Sequence, residues 1–96
     1  MSFKLRDDVV ITKVNNEYFL VALRNAWNEV PFVRHLPNIH YQILQCIIND
    51  IDEDKIIEIV KFNPPWTGER VMGLYRKIIE KNFYKNYLIE VNDNEK

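Results

Sequence analysis

From residue 9 to residue 36 the apolar positions of this chain follow the period of a strand, and from Asn38 onward they follow the period of a helix. A switch from two to about 3.6 is the pattern of a sheet laid down first and helices packed on it afterwards. In residues 9–14, Val10, Thr12 and Val14 fall on one face, and Val9, Ile11 and Lys13 on the other. Asn15-Asn16 follows, and asparagine tolerates the positive φ of a tight hairpin turn. Residues 18–23, YFLVAL, form a second strand that is apolar on both faces, so part of each face should be covered. RNAWNE then breaks the alternation as a loop, and residues 30–36, VPFVRHL, resume it. Pro31 cannot donate to a sheet ladder, so this third predicted strand is an edge, at least at its start.

Pro37-Asn38 opens the first predicted helix, with Asn38 as its cap and Ile39, Ile43, Cys46 and Ile47 as its apolar stripe, widened by Leu44 and Ile48. Asn49-Asp50 ends it. A short second helix starts at Asp52 or Asp54, with Ile56, Ile57, Ile59 and Val60 expected inside, and stops at Asn63-Pro64-Pro65. Thr67 caps the third helix, whose stripe is Val71, Leu74, Tyr75 and Ile78, and Asn82 ends it by tolerating positive φ. The predicted fold is α+β and winged-helix-like: a three-stranded antiparallel sheet packed against three helices. With 96 residues, 47% of them hydrophobic, the chain has room for one domain and one core. That core is predicted over about residues 9–84. Residues 85–96 form a tail in which 87–91 read as a short strand or ordered segment and NDNEK should fray.

Little in the sequence points to catalysis. The two glycines are too few for a phosphate-cradling loop. His35 and His40 lack a partner at zinc-ligand spacing and read as surface or boundary histidines. Cys46, the single cysteine, lies in an apolar run and reads as a buried small hydrophobe. The acids at Asp50, Asp52, Glu53 and Asp54 lack the glycine and distal glutamate of a calcium loop and suit a helix start better. These observations predict a binding module and not an enzyme, with no metal and no cofactor. MSFKLRDDVV has no signal-like apolar run, and no stretch is long enough to span a membrane, which points to the cytoplasm. The net charge of −1 argues against a nucleic-acid partner. Arg70, Lys77 and Lys81 nevertheless share one edge of the third helix, with Leu74 between them. That edge is either a solvated face or a basic groove wall for an acidic partner.

Four segments resemble the PqqD-like family, also called RiPP recognition elements. EYFLVALRNA looks like the family's second strand and turn. FVRHLPNIHYQIL is similar to the step from its third strand into its first helix. IDEDKIIEIV resembles its short helix, and VMGLYRKIIEKNF its last helix, with Asn82-Phe83 at the terminal glycine-leucine. The resemblance covers about residues 9–83. The chain departs from it in having Leu36-Pro37-Asn38 for leucine-asparagine, Arg70 near an acidic position, and Gly73.

The resemblance implies a domain that binds the leader segment of a ribosomally made precursor peptide and presents it to a modifying enzyme such as a radical-SAM maturase. The leader would add as a strand beside the third predicted strand, at Val30, Phe32, Val33, Arg34, His35 and Leu36, and pack on Arg70, Leu74, Lys77 and Lys81. In this expectation Phe32 and Leu74 receive apolar leader side chains and the bases meet leader carboxylates. An open edge strand also leaves a homodimer open. The rival expectations are a winged-helix nucleic-acid-binding regulator and a purely structural subunit of a larger enzyme.

Overall fold

A computed structural model describes residues 2–91; the NDNEK segment lies outside the described residues. The elements are β1 (Ser2–Leu5), β2 (Val9–Val14), β3 (Glu17–Ala22), β4 (Val33–Leu36), α1 (Asn38–Ile48), α2 (Ile56–Ile59), α3 (Gly68–Glu80) and β5 (Leu88–Val91). β2, β3 and β4 form an antiparallel three-stranded sheet in that order, so β4 is the third predicted strand. β1 and β5 form a separate two-stranded antiparallel sheet.

The hairpin between β2 and β3 is set by Asn15 and Asn16, at φ 51° and 67°. Positive φ at both central residues is what a two-residue turn of this hand requires, and it matches the twist of the strands. Val14 therefore pairs with Glu17, and the register runs back to Val9 opposite Ala22. This register puts Val9, Leu20, Ala22 and, from β4, Leu36 on the helix-facing side, where all four are buried. The other face carries a row of Val10, Val21 and Val33, paired across the three strands, and is partly exposed.

β4 begins at Val33 and not at residue 30. Ala22 N–H still donates to the Phe32 carbonyl at 2.8 Å, but the Ala22 carbonyl takes the indole N–H of Trp27 at 2.9 Å. The indole thus takes the acceptor that the Phe32 N–H would use, and the ladder ends there. Val30, which precedes the strand, is buried in the core.

α1 has Pro37 at its cap position with no side-chain cap; Asn38 is its first helical residue and not the cap the sequence suggests. Its stripe of Ile39, Ile43, Leu44, Cys46 and Ile47 is buried as expected. The helix ends with Asp50 at φ 58°, Ile51 N–H bonded to Cys46 O and Asp50 N–H to Ile47 O, which satisfies its last carbonyls. A 3-10 turn at Glu53–Lys55 leads into α2, a single turn long. Only Ile56 and Val60 bury, while Ile57 and Ile59 stand exposed, against expectation. One turn presents one narrow face, and residues four apart take it. α3 is capped by the Thr67 hydroxyl, which accepts from Arg70 N–H at 3.2 Å, and it ends before Asn82 at φ 52°. Val71 and Ile78 are buried, with Leu74 and Tyr75 packed against the core.

The segment after α3 turns through Phe83, Tyr84 and Tyr87 into β5, which brings the end of the chain back to its start. Tyr84 and Tyr87 are themselves core residues. Arg6, between β1 and β2, donates to both carboxylate oxygens of Asp8 at 2.7 and 3.0 Å and to Glu29 in the loop before β4. These bonds hold the Asp8 carboxyl below its ordinary range. No helix is long and apolar enough to cross a membrane among the described residues.

Candidate functional site

The outer edge of β4 is the natural place to start, because an edge strand exposes backbone groups that ask for a partner. Ala22–Phe32 is a hydrogen-bonded pair. Such pairs alternate along an antiparallel ladder, so Leu20–Arg34 and Tyr18–Leu36 are the next ones. Val33 and His35 then turn their N–H and C=O groups away from β3. No backbone hydrogen bond reaches them from that side among the described residues. β4 thus offers two residues' worth of ladder to an added strand.

The side chains of Phe32, Arg34 and Leu36 lie toward the helices, those of Val33 and His35 toward the outer face. Leu36 is fully buried. It and buried Val30 therefore have no side chain to offer a ligand. Phe32 is 61% exposed and packs edge-on against Trp27, itself 52% exposed, with ring centres 5.5 Å apart. Val33 is exposed in the valine row, and His35 sits 3.4 Å from Glu17 with Phe19 at its edge.

Arg34 is half-buried, and its guanidinium stands over three rings: Tyr84 at 4.6 Å, and Phe83 and Tyr87 at 5.5 Å. Lys77 of α3 reaches the same Phe83 ring at 4.6 Å. His40, from the first turn of α1, bonds the Tyr84 hydroxyl through Nδ1 at 2.8 Å. Burial, then Arg34 and Lys77, push the His40 pKa down, and burial pushes the Tyr84 hydroxyl up to about 12. The Tyr87 hydroxyl is buried without a hydrogen-bond partner among the described residues. Beside this cluster lies a cleft of about 380 Å³, bounded by Val30, Pro31, Arg34, Phe83 and Tyr87 among others.

No ion pair among the described residues includes Arg34 or Lys77. Glu29, the acid on the cleft, is taken by Arg6. The two cations are thus held by aromatic faces, an attraction of about 0.5–2 kcal/mol each, with no counter-charge among the described residues.

The other positions named from the sequence divide. Lys77 joins Arg34 at Phe83. Arg70 lies at the opposite end of α3, over the Trp66 ring at 4.7 Å and donating to Pro65 O at 3.1 Å. Leu74 is half-buried against the core, with no ring or polar partner at β4, and Lys81 is exposed at the end of α3. The structure therefore joins β4 to the C-terminal half of α3 and not to the whole basic edge. Sequence reasoning did not find Trp27, His40, Phe83, Tyr84 and Tyr87 as members of this site. The spacing of Phe83, Tyr84 and Tyr87 just past a helix end was the available signal.

Cys46 is buried, and burial raises its thiol pKa, so it has the character of a core residue. No cluster of three or more histidine, cysteine or carboxylate side chains is arranged to hold a metal among the described residues. No family model matches the chain, and neither do curated proteins or solved structures. The likeness to the PqqD-like family accordingly rests on the residues quoted above.

Proposed function

We propose that this chain is a non-catalytic, cytoplasmic module that binds the leader segment of a ribosomally made precursor peptide and presents it to a modifying enzyme. The leader adds as a strand along β4. The observation that carries this reading is the conjunction at that edge: backbone at Val33 and His35 that is unpaired among the described residues, beside the cations Arg34 and Lys77, which no acid of those residues meets. Backbone bonds supply affinity of a sequence-tolerant kind, and the side chains beside the edge supply selection. The resemblance to the PqqD-like family supports the same placement and names the ligand class.

A nucleic-acid reading draws less support. Of the cations on α3, Arg76 lies 3.6 Å from Glu53 and Arg70 is turned onto Trp66. Both are thus engaged within the domain.

The test is an amide NMR titration of the whole chain with the leader of a precursor encoded beside it. Saturable binding with the largest shifts at Val33, His35, Lys77 and Phe83 is the expected result. Shifts confined to β2, or salt-steep binding to duplex DNA with no response to the peptide, would overturn the proposal.

A further inference from the structure

Two side chains beside the β4 edge differ in what they ask of a ligand. Phe32, with Trp27 against it, presents apolar ring surface; the Trp27 indole N–H is already spent on Ala22 O. Arg34, sharing the Phe83 ring with Lys77, presents positive charge that no acid of the described residues answers. Phe32 lies just before β4 and Arg34 within it, two residues apart and on the same face, the one toward the helices.

Resting on the peptide-binding reading above, we infer that the β4 edge selects an extended peptide in which an acidic residue stands two positions from a large apolar one. Residues directly opposite in paired strands share a face, and their side chains meet. A ligand residue opposite Phe32 lies against the aromatic pair, and the one opposite Arg34 lies where a carboxylate meets Arg34 and Lys77. Charge-assisted bonds of this kind are stronger than neutral ones, and the half-buried setting of Arg34 limits screening. Any odd spacing moves one of the two groups to the outer face, where it would meet Val33 or His35. The outer face places no matching demand: Val10, Val21 and Val33 are neutral, and His35 faces its own Glu17. The spacing of two holds for either direction of the added strand. The order of the apolar and acidic residues then reports that direction.

The experiment uses the full chain and fluorescein-labelled synthetic peptides in a threonine-rich background, read by anisotropy and by the Val33 and His35 amides. The set is Leu-Thr-Glu and its reverse Glu-Thr-Leu, the adjacent pair Leu-Glu, the longer Leu-Thr-Thr-Glu, and the two spaced-by-two peptides with glutamine for glutamate. One order of the spaced-by-two pair should bind about ten-fold or more tighter than the odd spacings and than its own glutamine form, a gap of about 1.4 kcal/mol. Lys77→Gln, at an exposed position, should shrink the preference for glutamate over glutamine several-fold. Arg34→Gln should shrink it further. Saturable binding with shifts at Val33 and His35 but equal affinity across spacings and charges would overturn this inference and leave strand addition at β4 standing. No binding by any peptide, with unmoved edge amides, would overturn both.

Discussion

The three-stranded sheet has two open edges, β2 and β4, and they are not equivalent. β2 is the longer, with six residues against four. Leu23 N–H donates to Asp8 O at 2.7 Å, so by alternation Val9, Ile11 and Lys13 turn their backbone groups away from β3. Length alone would favour β2 as the receiving edge. Its surroundings do not. Val9 N–H is already bonded to Arg6 O, and the cation at that end, Arg6, is answered by both Asp8 and Glu29. Lys13 stands over the Tyr18 ring of the neighbouring strand. At β4 the backbone is free and the cations beside it have no acid among the described residues. Open ladder is common to both edges; two cations gathered on one ring with no acid among the described residues belong to β4, while β2 carries the single Lys13.

The largest effect should come from proline scanning the two edges. Val33→Pro removes an N–H that points to the open side and leaves the bonds to β3 intact. Losing one ladder bond, and leaving the ligand's carbonyl unpaired, costs about 1–3 kcal/mol. Leader affinity should fall about ten-fold or more, with circular dichroism and melting close to the parent. Lys13→Pro removes the equivalent outward N–H from β2 and should leave affinity within about two-fold of the parent, since no ligand contact is placed there. Equal losses for both variants, or none for Val33→Pro in a folded chain, would end the distinction between the edges.

A second contrast lies in titration. The β4 side carries His40, which faces Tyr84 and Phe83 of the C-terminal turn, Arg34 of β4 and Lys77 of α3, with no acid among them. Its pKa is lowered on folding, chiefly by burial and then by the two cations. The unfolded chain therefore binds the proton more readily than the folded one. Stability is fully present above the unfolded value near 6.5 and is lost as pH falls toward the lower folded value. Urea melts between pH 8 and pH 5 should show that slope, and His40→Gln should flatten it. A slope unchanged by His40→Gln would show that it does not come from His40; Asp8, whose pKa is lowered from 3.8, acts with the same sign only at pH below this window.

The same comparison shows what could be read from the residues. The β2 side was legible because its determinants are local: Asn15-Asn16 states its own turn, and alternation on either side states which face is buried. Pro31 likewise announced an edge, and Thr67 and Asn82 marked the ends of α3. The β1–β5 sheet was legible only in part: residues 87–91 read as a short strand or ordered segment, and β5 occupies 88–91, but four-residue β1 was too short for a period to speak, and the two pair across opposite ends of the chain. The site at β4 was half-legible for the same reason. Lys77 was named from its place on a basic helix edge and Arg34 through the family resemblance, but their meeting on Phe83 depends on the turn after α3 folding back, which no local pattern records. Leu36 shows the converse: alternation put it on the correct face, and only packing shows that this face is already full at that point.

The smallest effect is the one that keeps the edge comparison clean. Gly73 lies in the middle of α3, exposed, and a methyl group there would meet nothing within 4 Å. Its φ is helical, so alanine adds no strain, and it removes backbone freedom from the unfolded chain. Gly73→Ala should raise stability by about 0.5–1 kcal/mol in denaturant melts. It should not change peptide affinity, because Gly73 touches neither β4 nor the Phe83 cluster among the contacts described. Placed beneath Val33→Pro, it offsets whatever modest stability the proline costs. If binding stays lost in the double variant while the melt returns to the parent's, the loss belongs to the edge itself. If binding returns with stability, the fold was the cause, and β4 has no more claim on the ligand than β2.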